Sequence, residues 1–122
     1  MALVTNTQRA LTDRALNSIG RHYFSATVCG DEVPNGKPAP DAYQRAAALL
    51  GLRPDVCLAV EDSVTGTTAA QRAGCPVLVV PNDVVVPRGP RRRHISSLAD
   101  IGVADLRRVF GELSSEFGER TA

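Results

Sequence analysis

The clearest structural signal in the chain is Cys57-Leu58-Ala59-Val60-Glu61-Asp62-Ser63, where a short apolar run leads into two carboxylates and a hydroxyl residue. The run 57–60 does not alternate apolar with polar residues, which is typical of a strand buried on both faces of a parallel sheet. Three further runs share this character: Ala2–Val4, Ala26–Cys29 and Val77–Val80. Their starts lie roughly 20 to 30 residues apart, the length of a β-α-β unit. We therefore predict an α/β fold with a parallel sheet and right-handed crossovers.

Helical periodicity occupies the intervals between these runs. A helix over 8–19, capped by Thr7, is predicted to bury one apolar face. That face contains three residues spaced four apart: Leu11, Ala15 and Ile19. A second helix is predicted over 41–50, and a third, capped by the Ser63 hydroxyl, runs to Gly74.

The pattern changes after Pro81, where turn-forming residues become frequent. The basic run 91–94 is predicted to be a solvated loop, with an anion or nucleic-acid patch as the alternative. Residues 95–98 are a candidate last strand, 104–117 a surface helix, and 118–122 a frayed tail. The helix has four residues on its apolar face: Leu106, Val109, Phe110 and Leu113.

Composition narrows the functional classes. Lys and Arg number 14 against 13 Asp and Glu, a formal net charge of +1, so a general nucleic-acid or membrane-surface protein is disfavoured. Hydrophobic residues make up 43% of the chain, enough for a packed core. No apolar run approaches the roughly 20 residues that cross a bilayer, and no secretory signal is visible.

Three cysteines are present, an odd number without a C-x-x-C pair. Each lies in or beside an apolar run, which favours buried free thiols in a reducing cytoplasm over disulfides or metal ligands. Thirteen of the 14 basic residues are arginine, so Lys37 is the single lysine.

Polar groups follow three of the predicted strands, and in an open α/β sheet such positions gather at one edge. They are Thr5-Asn6-Thr7, Gly36-Lys37-Pro38-Ala39-Pro40-Asp41 and Glu61-Asp62-Ser63. A hydroxyl near free backbone N–H groups suits a phosphate, and a lysine adds a compact positive charge. Adjacent carboxylates are hard oxygen ligands suited to Mg²⁺. Together these groups indicate phosphoryl transfer.

In this order and spacing the motifs resemble the haloacid dehalogenase-like (HAD) hydrolases. The matching segments are Leu3-Val4-Thr5-Asn6-Thr7, Gly36-Lys37-Pro38-Ala39-Pro40-Asp41, and Val60-Glu61-Asp62-Ser63 with Gly66, Ala69-Ala70 and Ala73-Gly74. They cover roughly 2–82 and are most similar to the branch containing phosphoglycolate phosphatases, sugar-phosphate phosphatases and β-phosphoglucomutase. The resemblance implies a Rossmann-like core, here placed over 1–117.

The resemblance also implies site roles. Thr5 would hydrogen-bond the transferring phosphoryl group, together with the Asn6 backbone N–H. Lys37 would neutralise charge between the phosphate and the nucleophile. Asp62, with Glu61 nearby, would hold Mg²⁺. The substrate would be a small phosphorylated metabolite, with neither nucleic acid nor membrane as a partner.

The sequence departs from the family in one respect: no aspartate is followed two residues later by another. In the family an Asp-x-Asp motif supplies the covalent nucleophile and the general acid and base, and a cap domain selects the substrate. We therefore expect this chain to be the C-terminal segment of such an enzyme, with two strand pairs flanking a gap, or with the first strand paired directly to the third. It would be inactive alone, would bind Mg²⁺ weakly, and would pair with a complementing N-terminal half or with itself.

Three alternatives stay open at this point. A sugar-phosphate mutase of the same family would share these motifs. A non-catalytic phosphate-binding or interaction half of a split protein would keep the fold without the chemistry. A nucleic-acid binder using 88–93 would bind DNA with strong salt dependence.

Overall fold

The computed structural model describes the backbone of residues 1–121 and the side chains of residues 1–115, and these residues form five short strands and four α-helices. The strands are β1 (Ala2–Val4), β2 (Ala26–Val28), β3 (Ala59–Glu61), β4 (Val77–Val79) and β5 (Arg92–His94). The helices are α1 (Arg9–Ile19), α2 (Asp41–Leu50), α3 (Val64–Ala73) and α4 (Val103–Thr121). The predicted α/β class is confirmed.

All the strand pairs are parallel, but they form two sheets. One sheet contains β1 and β2, with Ala2 opposite Ala26, and the other has the order β3-β4-β5, with Ala59 opposite Val77. Within residues 1–121 no ladder joins β1 to β3, so a gap separates these strands as expected, but the second sheet contains three strands rather than two. Helix α1 is the crossover between β1 and β2, and α3 is the crossover between β3 and β4, while residues 80–91 connect β4 to β5 without a helix.

An apolar groove of about 370 Å³ runs between β1 and β3. Its walls include Leu3 and Val4 on one side and Ala59 and Val60 on the other, and α2 contributes Tyr43. We call this feature the interstrand groove. The unpaired edges of β1 and β3 face each other across this groove. An unpaired strand edge can form hydrogen bonds with a further strand.

Helices α2 and α3 have the predicted bounds and caps. The Ser63 hydroxyl accepts a hydrogen bond from the Gly66 N–H at 3.0 Å, which caps α3. Gly74 ends α3 at φ 107°, a left-handed conformation that glycine adopts without steric cost. Helices α2 and α3 enclose a buried apolar cluster together with β3 and β4. This cluster contains Tyr43, Ala59, Ala69, Ala70, Cys75, Val77, Val79 and Val86.

The predicted buried face of α1 is wrong. Leu11, Ala15 and Ile19 are exposed, while Thr12 and Leu16 are buried. Both sets are spaced four apart, so periodicity could not choose between them, and the buried Thr12 hydroxyl is satisfied by donating to the Gln8 carbonyl. The predicted Thr7 cap is also wrong, because the helix begins after Gln8 without a side-chain cap.

The C-terminal third also differs from the prediction. The last strand, β5, is formed by Arg92–His94, so the predictions of a strand at 95–98 and a solvated loop at 91–94 are both wrong. The basic side chains are held within the fold: Arg92 Nε donates to Gln71 Oε1 at 2.7 Å, and Arg93 Nη2 lies 2.7 Å from Glu112 Oε2. These partners lie on α3 and α4, and local sequence does not reveal them.

Helix α4 exceeds the predicted bounds of 104–117, and three of the four residues of its predicted apolar face pack into the core, whereas Phe110 is half-buried outside that cluster. Val109 and Leu113 are buried against Leu78, with Leu106 packed beside them. The helix backbone continues to Thr121. Of the predicted tail at 118–122, Ala122 and the side chains of the other four residues lie outside the described part of the structure.

The cysteines are free, as predicted. Cys29 and Cys75 are buried, Cys57 is half-buried, and burial raises the pKa of the Cys75 thiol to about 12. A thiol with so high a pKa is a poor nucleophile and metal ligand near neutral pH. Among the described residues, no helix has the length and apolar character needed to cross a membrane.

Candidate active site

Lys37 and Glu61 form a nearly buried ion pair at the carboxyl ends of β1 and β3. Lys37 Nζ donates to Glu61 Oε1 at 2.7 Å and to the Val4 carbonyl at 3.0 Å. The side chains are only 12% and 7% exposed, respectively. A pair with so little solvent contact is weakly screened, so its geometry is fixed by direct contacts. The ion pair connects the edges of the two sheets across the interstrand groove.

Tyr43 completes this cluster, and sequence reasoning missed it. Its hydroxyl donates to Glu61 Oε1, and Lys37 Nζ lies 5.3 Å from the centre of its ring. Burial, followed by the nearby Glu61 charge, raises the pKa of the Tyr43 phenol far above its ordinary value. The phenol therefore remains protonated and acts as a donor. Tyr43 lies within the helix predicted over 41–50, and a buried tyrosine hydroxyl needs a partner, which was the available signal.

Strand geometry separates the two carboxylates that the sequence places side by side. β3 includes Glu61, and side chains alternate between faces along a strand. Glu61 is buried beneath Lys37 and Tyr43, whereas Asp62 is exposed and accepts a hydrogen bond from Asn82 Nδ2 at 2.9 Å. Asn82 was not among the predicted site residues, because it follows β4 rather than one of the three strands considered.

The metal-binding capacity of the described residues is small. No group of three or more His, Cys, Asp or Glu side chains lies close enough together within them to hold a metal ion. Asp62 offers an accessible hard carboxylate, which suits Mg²⁺. Glu61 Oε1 already accepts from two donors, so it has less capacity left for a cation. The donor set fits a cation in part and would need further oxygen ligands.

Thr5 and Asn6 lie at the same edge as Lys37. The Thr5 hydroxyl accepts a hydrogen bond from the Thr7 N–H at 3.1 Å, which leaves its proton available to a phosphate oxygen. Asn6 contacts the Lys37 backbone twice: Oδ1 accepts from the Lys37 N–H at 2.8 Å, and Nδ2 donates to the Lys37 carbonyl at 3.3 Å. Thr5 and Asn6 thus follow directly after β1, and Asn6 is hydrogen-bonded to the Lys37 backbone.

Gly66 makes room for the Glu61 carboxylate in the first turn of α3. A Cβ at this position would lie 1.9 Å from Glu61 Oε2. The Glu61 carboxylate cannot easily move away from such a Cβ, because Lys37 and Tyr43 are hydrogen-bonded to its other oxygen. The absence of a side chain at position 66 therefore accommodates a charged group of the site.

We predict that Gly66→Ala destabilises the chain by about 1–3 kcal/mol, the usual cost of overpacking. The matched control is Gly111→Ala in α4, where nothing lies within 4 Å of the added Cβ. That substitution should stabilise the helix by up to about 1 kcal/mol. Urea unfolding of both variants measures the difference, and equal effects would show that Gly66 does not constrain Glu61.

The parallel α/β fold thus places a lysine–carboxylate pair and an exposed aspartate together at the carboxyl ends of its strands, where sites of open α/β sheets lie. The family model described as haloacid dehalogenase-like hydrolase matches residues 1–74. The chain belongs to this family, which confirms the resemblance seen in its motifs.

Relatives of known name support the same branch. Protein CbbY of Rhodobacter capsulatus is 40% identical over 110 residues, covering 87% of this chain and 46% of the relative. A phosphoglycolate phosphatase of Thiobacillus denitrificans is 38% identical over 82 residues, covering 66% of this chain and 36% of the relative. The crystal structure of CbbY from Rhodobacter sphaeroides in complex with phosphate superposes with a TM-score of 0.77 at 31% identity, covering 87% of this chain and 50% of that one. The chain thus spans about half the length of these proteins or less.

Proposed function

We propose that this chain is the C-terminal core segment of a cytoplasmic, Mg²⁺-dependent phosphatase that acts on a small phosphorylated metabolite. The observation that carries the proposal is the Lys37–Glu61–Tyr43 cluster with Asp62 beside it at the sheet edge. It combines a fixed ammonium with an accessible carboxylate, which are the groups that phosphoryl transfer requires. Membership of the family and the phosphatase relatives support the same activity.

Each residue at this edge has a role in the proposed reaction. The free Thr5 proton and the Asn6 backbone N–H would hydrogen-bond the phosphoryl oxygens. Lys37, held by Glu61 and the Val4 carbonyl, would neutralise charge on the phosphoryl group. Asp62, with Glu61 nearby, would hold Mg²⁺, which supplies Lewis-acid stabilisation when bound.

The nucleophile in this proposal is an aspartate from outside the 122 residues. The strand that carries it would pair with the facing edges of β1 and β3, and its side chains would fill the interstrand groove. That position would bring a carboxylate at the strand's end close to Lys37 and Asp62. The aspartate would attack phosphorus and break the P–O bond to the substrate, whose alkoxide would take a proton from the second aspartate of the Asp-x-Asp motif. Water would then attack the aspartyl-phosphate, giving its proton back to that second aspartate, and the acyl phosphate P–O bond would break to release inorganic phosphate and the free carboxylate. The added carboxylates would also supply the oxygen ligands that Asp62 and Glu61 lack.

We expect the 122-residue chain to show no turnover of p-nitrophenyl phosphate with Mg²⁺, and the chain extended by its genomic upstream sequence to show turnover. We also expect the short chain to self-associate or to unfold with low cooperativity, because both of its inner sheet edges are unpaired. Size-exclusion chromatography and urea unfolding measure these properties. Genuine Mg²⁺-dependent turnover by a monomeric short chain would contradict the proposal.

A further inference from the structure

The loop that carries Lys37 is held by a side chain 31 residues earlier in the sequence. Asn6 Oδ1 accepts a hydrogen bond from the Lys37 N–H at 2.8 Å, and Asn6 Nδ2 donates to the Lys37 carbonyl at 3.3 Å. The amide thus engages both polar groups of the Lys37 backbone. Such two-point contact fixes orientation as well as position, as it does in other bidentate pairs.

Two glycines leave the space that Asn6 occupies. A Cβ on Gly36 would lie 2.9 Å from Asn6 Oδ1, and a Cβ on Gly30 would lie 2.1 Å from the Asn6 carbonyl oxygen. Larger residues at these positions would displace Asn6 from Lys37. Gly30 and Gly36 therefore leave the space that Asn6 needs to contact Lys37.

We propose that Asn6 is the positioning residue for Lys37. Its side-chain amide holds the Lys37 backbone at the end of β1, so that Nζ reaches the Val4 carbonyl and Glu61. This role differs from the phosphate contact assigned above to the Asn6 backbone N–H. The significance of the role for catalysis rests on the proposed function, in which Lys37 meets the phosphoryl group, but the contact itself can be tested without activity.

The test uses the fact that Lys37 is the only lysine in the chain. We call the two hydrogen bonds between the Asn6 amide and the Lys37 backbone the clamp. With the clamp formed, the Lys37 side chain is 12% exposed, so a faster acylation of Nζ reports that the clamp has opened. The 122-residue chain is treated with an acetylating reagent, and the Lys37 peptide is quantified by mass spectrometry separately from the N-terminal amine. Asn6→Ala is expected to raise the acylation rate at least about fivefold, the change that corresponds to two lost hydrogen bonds at the weak end of their usual range.

Asn6→Asp provides the conservative comparison. It keeps the acceptor for the Lys37 N–H and loses the donor to the carbonyl, so its acylation rate should fall between wild type and Asn6→Ala. If Asn6→Ala does not fold, a rate for Asn6→Asp at least twofold above wild type supports the proposal, and a wild-type rate overturns it.

Val109→Ala serves as the control for general destabilisation. Val109 packs against Leu78 and Leu113 in a separate cluster, so its truncation loosens the fold without touching the clamp. An equal rise in Lys37 acylation in this variant and in Asn6→Ala would overturn the proposal, as would an unchanged rate in Asn6→Ala. Inorganic phosphate is added in a separate arm with wild type. Failure of phosphate to slow acylation would count against Lys37 as a phosphate contact and would not bear on the clamp.

Discussion

Replacing Lys37 with methionine is expected to lower the free energy of unfolding by about 3–5 kcal/mol, the cost of removing one partner of a buried ion pair. Glu61, 7% exposed, would keep Tyr43 as its donor but lose its counter-charge. In the upstream-extended enzyme, the same variant is expected to lose nearly all phosphatase activity, because the ammonium meant to face the phosphoryl group is gone. Urea unfolding and a p-nitrophenyl phosphate assay measure the two effects.

Two variants show whether the loss comes from the buried charge. Lys37→Met combined with Glu61→Gln should recover part of the stability, since the uncompensated carboxylate is removed, but none of the activity. Arg53→Ala is the matched control for an exposed ion pair: Arg53 lies 3.2 Å from Asp55 with side chains 78% and 48% exposed, so its loss should cost at most about 1 kcal/mol. A Lys37→Met chain as stable as Arg53→Ala would contradict the role of the pair.

Asp62→Asn is expected to have the opposite profile, with large loss of activity and little loss of stability. A metal-held charge contributes several kcal/mol to the transition state, so kcat of the extended enzyme should fall about a thousandfold. Asp62 is exposed and accepts a hydrogen bond from the Asn82 amide, so stability should change by no more than about 0.5 kcal/mol. Steady-state kinetics across Mg²⁺ concentrations and urea unfolding measure the two quantities.

The control for Asp62→Asn is Asp83→Asn, an exposed aspartate in the loop next to Asn82. It removes the same charge near the same loop and should leave kcat close to the wild-type value. Equal losses in the two variants would indicate a general effect of charge at this edge. Near-normal turnover in Asp62→Asn would show that Asp62 does not hold the metal.

Several parts of the site could be predicted because they depend on local rules. The hydroxyl and carboxylate residues follow apolar runs, and the carboxyl ends of parallel strands meet at one edge, so Thr5, Lys37 and Glu61 could be expected near each other. The Ser63 cap and the glycine stop at Gly74 follow from backbone hydrogen bonding within a single helix. The roles assigned to these residues in catalysis stay predictions.

Other parts could not be predicted because they depend on distant partners. Periodicity allowed two faces for α1, and packing selected Thr12 and Leu16. The basic run at 91–94 was predicted to be solvated, but Gln71 and Glu112 bind two of its arginine side chains. In both places the local pattern was compatible with more than one arrangement, and contacts far along the chain decided between them.

The parallel α/β fold, the bounds of α2, the family and the residue types at the sheet edge could all be predicted from the sequence, since apolar runs, caps and motif spacing are local properties. The burial of Glu61 and the exposure of Asp62 became known from the folded structure, because they depend on where β3 ends and on which face of the strand each side chain lies. Tertiary packing likewise brought Tyr43 from a helix and Asn6 from a strand end onto the Lys37–Glu61 pair. Hydrogen bonds between residues 18 and 31 positions apart depend on how the elements pack, and no local rule specifies that packing.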